Sequence, residues 1–123
     1  MNNMKKAILA LIVLLLAINI ASAQKFSGIR VDDTVKSGDY LEAHANIRNT
    51  LSTTIKHGNL VFWMPDIEIY EKSSSFNIPK DINYGRYMHV YIPQNTEPGI
   101  YLARVSFIHN GKVQHQWRYV DVE

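Results

Sequence analysis

The chain has no cysteine among its 123 residues, and this absence excludes several kinds of protein. No disulfide can hold the fold, no cysteine can carry a lipid anchor, and neither a blue-copper site nor a cysteine-based zinc site can form. Small secreted domains often use disulfides, so this one must be held by core packing alone. The lack of disulfides in a small secreted domain favours a bacterial or archaeal protein over a eukaryotic one.

The chain also lacks a large excess of charge. It has 13 basic and 11 acidic residues, and two of the basic ones are Lys5 and Lys6 near the N-terminus. The rest of the chain is therefore formally neutral, which gives no electrostatic basis for binding nucleic acid or anionic lipid. No Asn-x-Ser/Thr sequence occurs, so N-glycosylation has no acceptor.

The first 23 residues have the three parts of a secretory signal. Lys5 and Lys6 form a basic start, residues 7–20 are almost wholly apolar, and residues 21–23 read Ala-Ser-Ala. This pattern predicts a signal helix over residues 1–23, cut between Ala23 and Gln24, and a product that is secreted or held outside the envelope. The alternatives are an uncleaved membrane anchor or a pilin-type signal cut after Lys6, although the apolar run is short for a span of about 20 residues.

Residues 24–123 are predicted to form a single all-β domain. No stretch keeps apolar residues at helical spacing, whereas Tyr40–Arg48 alternates between apolar and polar residues, as a half-buried strand does. Asn110-Gly111 predicts a two-residue hairpin turn. The turn signals divide the chain into about seven strands, which favours a two-sheet antiparallel sandwich. The main predicted strands are residues 28–32, 40–48, 59–64, 67–70, 86–92, 100–109 and 112–122.

Two stretches carry a family likeness. Residues 37–49 read SGDYLEAHANIRN, and residues 92–105 read IPQNTEPGIYLARV. The first resembles the "PGD-x-hydrophobic … N" second strand of immunoglobulin-like surface domains of bacteria and archaea, and the second is similar to their "IP … PG-x-Y" approach to the sixth strand. The nearest group is the cell-adhesion-related, CARDB-like domains. The resemblance covers residues 26–123, implies an extracellular immunoglobulin-like sandwich whose corner is tied by the Tyr101 hydroxyl, and implies no chemistry.

Catalytic and metal-binding signatures are lacking. No serine lies in a G-x-S-x-G pattern, and the adjacent pair Asp32-Asp33 is typical of a strand-ending turn. The five histidines show neither H-x-H nor H-E-x-x-H spacing, although His44 and His89 fall at outward strand positions where a surface site is geometrically possible. We expect no enzyme, no metal and no cofactor.

The aromatic residues are the remaining candidates for function. Tyr87, His89 and Tyr91 form a stripe opposite the apolar side chains of their strand, where they either bind a sugar or a protein or simply pack across the sheet surface. Trp63, Trp117 and Tyr119 are predicted to lie in the core. Pro65 and the loop 72–75 indicate irregular edge strands, which can accept a strand from another protein.

Together these patterns predict an exported, non-enzymatic module that binds another protein or a surface polymer. The alternative is a carbohydrate-binding module that uses Tyr87, His89 and Tyr91. An undetected enzyme or a metal carrier is a third, weaker reading.

Expression of the full chain in a host with an export pathway tests the signal. We expect the exported product to begin at Gln24, because signal peptidase cuts after a small-x-small sequence. Intact-mass spectrometry measures the start. A full-length product in the membrane fraction would indicate an uncleaved anchor, and a product beginning at residue 7 would indicate pilin-type processing.

Overall fold

The computed structural model describes residues 25–123, so the predicted signal helix and its cleavage site at Ala23 and Gln24 lie outside the described residues. The described part is all-β apart from a 3₁₀ turn at Pro65–Ile67. No helix within it is long and apolar enough to cross a membrane. Its strands are β1 Lys25–Val31, β2 Thr34–Val35, β3 Tyr40–Arg48, β4 Ile55–Met64, β5 Ile69–Lys72, β6 Phe76–Ile78, β7 Asn83–Tyr91, β8 Gly99–His109 and β9 Lys112–Val122.

The strands form two sheets that share one core. One sheet has the order β1-β3-β7, and the other has the order β2-β9-β8-β4-β5, with β6 also paired to β4. The pairs are antiparallel except for the short parallel pair of β2 and β9. The alternating side chains of β3 meet those of β4, β7 and β8 in this core, which makes the fold sandwich-like. The largest fully buried side chains are Leu41, Ile47, Ile55, Leu60, Phe62, Met64, Ile78, Val90, Ile92, Val105, Phe107 and Val120.

The predicted strands agree with the structure where alternation or turn chemistry is strong. Strand β3 has the predicted bounds, and the β8–β9 hairpin turns through Asn110 and Gly111 with φ angles of 49° and 74°. The structure has nine strands instead of about seven, because Thr34–Val35 and Phe76–Ile78 form two further short ones. Strand β4 begins at Ile55 instead of Asn59. Ile55 is fully buried and pairs with Ile78 of β6, and the bulge between Ile55 and Gly58, where His57 has a φ of 58°, hides the alternation.

Asn49 organises the loop that follows β3. Its side chain is fully buried, and its amide group donates to the carbonyl oxygens of Thr53 and Ile78, both at 2.9 Å. Its Oδ1 accepts from the backbone N–H of Leu51 at 2.9 Å. A buried amide is tolerated only when its hydrogen bonds are made, so this asparagine specifies the loop geometry.

Gly58 permits the closest packing in the core. A Cβ atom at this position would lie 2.9 Å from a ring carbon of Phe107 and 3.1 Å from one of Phe76. Those two rings are themselves stacked, with centroids 6.0 Å apart, so neither can move freely.

We expect Gly58→Ala to lower the free energy of unfolding by about 1–3 kcal/mol, because an added methyl group overpacks this site. Urea denaturation measures the change. Gly28→Ala is the matched control, since the nearest atom to its added Cβ is 3.9 Å away. Equal effects of the two substitutions would contradict the role assigned to the close approach at Gly58.

Candidate binding surfaces

The predicted stripe Tyr87, His89 and Tyr91 lies on the outer face of the three-stranded sheet. All three side chains are exposed, with Tyr87 at 54% and Tyr91 at 45% of their full accessible surface. They project from β7, which is an outer strand of that sheet. We call the stripe and its cross-strand partners the Tyr ladder; its members are Tyr40, Glu42, His44, Tyr87, His89 and Tyr91.

The members of the Tyr ladder contact one another in pairs. The rings of Tyr40 and Tyr91 lie 5.3 Å apart, and those of His44 and Tyr87 lie 4.2 Å apart. Between them, His89 Nε2 lies 3.3 Å from Glu42 Oε2. The polar atoms at the centre of the ladder are thus already engaged with each other, as cross-strand pairing on an exposed sheet predicts.

A second and larger exposed surface lies on the outer face of the six-stranded sheet. Strand register places one row of four side chains across it, in the order Trp117, Arg104, Trp63 and Tyr70 on β9, β8, β4 and β5. The hairpin of β8 and β9 extends this surface with two further rows, in which Leu102 pairs with Tyr119 and Ile100 pairs with Asp121. These eight residues are called the Trp face.

Arg104 is the centre of the Trp face. Its guanidinium carbon lies 4.6 Å from the ring centroid of Trp63 and 5.6 Å from that of Trp117, so the cation is stacked between two indoles. Its Nε is buried without a hydrogen-bond partner. Ion pairs within residues 25–123 join Glu42 to Arg30 and to His89, and none involves Arg104. The face therefore carries a rigid positive charge with no carboxylate beside it.

Large apolar side chains of the Trp face are strongly exposed. Ile100 and Tyr119 keep 72% and 70% of their full accessible surface, and Tyr70 keeps 61%. Trp117 and Leu102 are also exposed, at 44% and 38%. A contiguous group of this kind is unusual on a protein that acts alone, because water contact with apolar surface is unfavourable.

The prediction that Trp63, Trp117 and Tyr119 lie in the core is wrong. The two-residue turn pairs His109 with Lys112, and this register pairs Trp117 with Arg104 and Tyr119 with Leu102, on the face turned away from the core. The buried side chains of β9 are instead Gln114, Val120 and Val122, and Arg118 is half-buried. The signal was available in the sequence, because the Asn-Gly turn and the period-two alternation together determine which residues share a face.

A small cleft opens on the Trp face beside Arg104. It encloses about 240 Å³ and is lined by Tyr70, Arg104, Ser106, His115 and neighbouring apolar residues. Ser106 Oγ and His115 Nδ1 are joined by a hydrogen bond of 2.7 Å. Burial and, to a smaller extent, the Arg104 charge lower the pKa of His115 from its usual value of 6.5. Ser106 is buried, and no carboxylate within residues 25–123 forms an ion pair with this imidazole.

Two other sequence-predicted features have clear positions. The hydroxyl of Tyr101 donates to the carbonyl oxygen of Glu97 at 2.6 Å, across the turn that leads into β8. His44 and His89, the candidates for a surface metal site, are engaged with Tyr87 and Glu42. Within residues 25–123 no three His, Asp or Glu side chains come close enough together to hold a metal ion.

Comparisons with known proteins show a shared fold. No protein-family model matches the chain, and no curated protein matches it in sequence. Solved structures that are similar include a Niemann-Pick type C2 protein from the Japanese carpenter ant, with a TM-score of 0.59, 10% identity, and coverage of 81% of this chain and 92% of that one. A CARDB domain from Pyrococcus furiosus, in complex with di-metal ions, has a TM-score of 0.56, 13% identity, and coverage of 77% and 84%.

A family 123 glycoside hydrolase from Clostridium perfringens, which acts on glycolipid glycans, is a third similar structure. Its TM-score is 0.53 and its identity 17%, and the match covers 74% of this chain. This chain spans 23% of the hydrolase. Similarities at these identities describe the fold, which this chain shares with proteins of different kinds.

The lowered pKa of His115 makes a prediction about stability. A histidine that is harder to protonate in the folded state stabilises the fold above its unfolded pKa of 6.5, and that contribution is lost as the pH falls below it. We expect the wild-type protein to lose more free energy of unfolding between about pH 8 and about pH 5 than the His115→Gln variant. Urea denaturation at both pH values measures this. An equal loss in the two proteins would contradict it.

Proposed function

We propose that this protein is an exported, non-enzymatic, immunoglobulin-like binding module that acts by protein–protein contact at the cell envelope or outside the cell. The Trp face carries the proposal, because it exposes large apolar side chains around a rigid, unpaired arginine. Two tryptophans, two tyrosines and an arginine in one patch are the residue types that dominate binding energy at protein interfaces.

The chemistry of the Trp face favours a protein partner over a sugar. Its outer rows join the aliphatic side chains of Ile100 and Leu102 to Tyr119 and Asp121, so two of their four side chains have no hydrogen-bonding group. A sugar requires such groups beside the aromatic rings, whereas a protein buries aliphatic and aromatic surface together. The flat geometry of a sheet face also suits a protein surface.

A carbohydrate-binding module that uses the Tyr ladder is the second candidate. The exposed rings of Tyr87 and Tyr91 favour it, since sugar rings stack on exposed aromatic side chains. The hydrogen-bonding groups between these rings, however, are those of the Glu42–His89 pair, which bind each other. The Tyr ladder therefore has fewer unengaged groups with which to bind a ligand than the Trp face has.

Three further observations support the other parts of the proposal. The sequence of residues 1–23 has the pattern of an export signal. The strand orders of the two sheets and the fold shared with a CARDB domain support an immunoglobulin-like assignment. Ser106 is buried, and no carboxylate among residues 25–123 forms an ion pair with His115, so this pair does not supply the parts of a serine triad.

Photo-crosslinking in the producing cells tests the proposal. A benzophenone amino acid replaces Tyr119 on the Trp face, and the matched control carries it in place of Tyr87 on the Tyr ladder. We expect a protease-sensitive protein adduct from position 119 and none from position 87, because only the first position lies within the proposed interface. Gel electrophoresis and mass spectrometry of the adduct measure the outcome.

The reverse result would overturn the assignment of the surface. Adducts from position 87 that are destroyed by periodate oxidation of glycans would support the carbohydrate-binding alternative. No adduct from position 119 at any stage of growth would contradict a protein contact through the Trp face.

A further inference from the structure

The Trp face carries two complementary charges without local partners. Arg104 lies in the row of four side chains, and Asp121 lies two rows away on the same face, opposite Ile100. Neither side chain forms an ion pair with any of residues 25–123. The two groups are too far apart to meet within one molecule, because successive rows on one face of a sheet are about 6.8 Å apart.

The spacing of the rows is symmetric about Tyr119 and Leu102. The row of Arg104 and Trp117 lies on one side of this pair, and the row of Ile100 and Asp121 lies at the same distance on the other. Consider a two-fold axis that lies between two facing sheets, parallel to the central row and perpendicular to the strands. This axis places each flanking row of one molecule over the opposite flanking row of the second. Such an axis places Arg104 of each copy opposite Ile100 of the other, one strand or about 4.8 Å to the side of its Asp121, within reach of the long arginine side chain.

We propose that the partner of the Trp face is a second copy of this chain, in a two-fold dimer that packs the two six-stranded sheets face to face. The inference rests on the proposed function, since it names the protein that the face contacts. Tyr119 and Leu102 meet their own counterparts at the axis, and two Arg104–Asp121 pairs flank them. An isologous contact of this kind requires one self-complementary surface, which these three rows provide.

The size of the face agrees with a weak, reversible dimer. Four strands at about 4.8 Å each and three rows at about 6.8 Å each give a contact of at most roughly 20 Å by 20 Å. This is small beside the roughly 800 Å² that a standard interface buries on each partner. We therefore expect a dissociation constant in the micromolar range, with the two charge pairs determining register and specificity.

A charge-exchange experiment tests the dimer. Full-length wild-type protein and the variants Asp121→Lys and Arg104→Glu are exported, purified and examined by sedimentation velocity from low to high micromolar concentration. We expect the wild type to dimerise and each variant to raise the dissociation constant at least about tenfold, because each homodimer then contains two like-charged pairs.

Mixing the two variants provides the decisive measurement. In a heterodimer of Asp121→Lys with Arg104→Glu, both flanking contacts again join opposite charges, so we expect the mixture to dimerise when neither variant does alone. Asp39→Lys is the charge-matched control, since Asp39 is exposed and lies beside the three-stranded sheet, where its backbone carbonyl accepts from the N–H of Ile92. Circular dichroism and thermal unfolding of each protein show whether it is folded.

Several outcomes would overturn the proposal. A wild-type protein that is monomeric at every concentration would exclude the dimer, as would a dimer that persists in both Asp121→Lys and Tyr119→Ser. A mixture of the two charge variants that stays monomeric would exclude the two-fold register. If position 119 crosslinks to a different protein while the wild type is monomeric, the proposed function stands and the second copy is rejected; if neither contact occurs, both fail.

Discussion

The structure depends on apolar packing between the inward faces of two sheets, because a chain without cysteine has no disulfide between them. Leu41, Ile47, Phe62 and Phe107 belong to the core that they share. Each strand can offer only alternate residues to that core. The neighbours of an inward residue therefore point outward. The composition of the two outer faces thus depends on which residues form the core.

The two outer faces differ in how many of their rings and charged groups are paired within the molecule. On the three-stranded sheet, the Tyr ladder pairs its rings and its charges across β3 and β7. On the six-stranded sheet, Arg104 is held between two indoles, while Tyr119 and Ile100 remain in water. Both surfaces expose large side chains, but the first pairs its charges within the molecule, whereas Arg104 of the second has no ion-pair partner among residues 25–123.

Strands and turns were predicted correctly from the sequence where alternation or turn residues gave a strong local signal. The strict alternation of Tyr40–Arg48 and the Asn-Gly turn predicted one strand and one hairpin correctly. The start of β4 was not predicted, because a bulge at His57 interrupts the alternation of this strand and its partner β6 is distant in sequence. The resemblance to immunoglobulin-like sandwiches favoured a core position for Trp63, but Trp63 pairs with Arg104 on the outer face. Trp117 shares that face, because the hairpin register pairs it with Arg104 and not with the inward residues of β8.

The sequence by itself determined an all-β chain, the bounds of its best strands and the tight turn between β8 and β9, because these follow from local alternation and from backbone conformations that few residues adopt. The tertiary structure alone decided that Trp63 and Tyr70 extend the pair of Arg104 and Trp117 into one row. Those residues come from four strands, and their meeting depends on pairing order across the sheet. Sheet order is a property of contacts between distant segments, so local patterns carry little information about it.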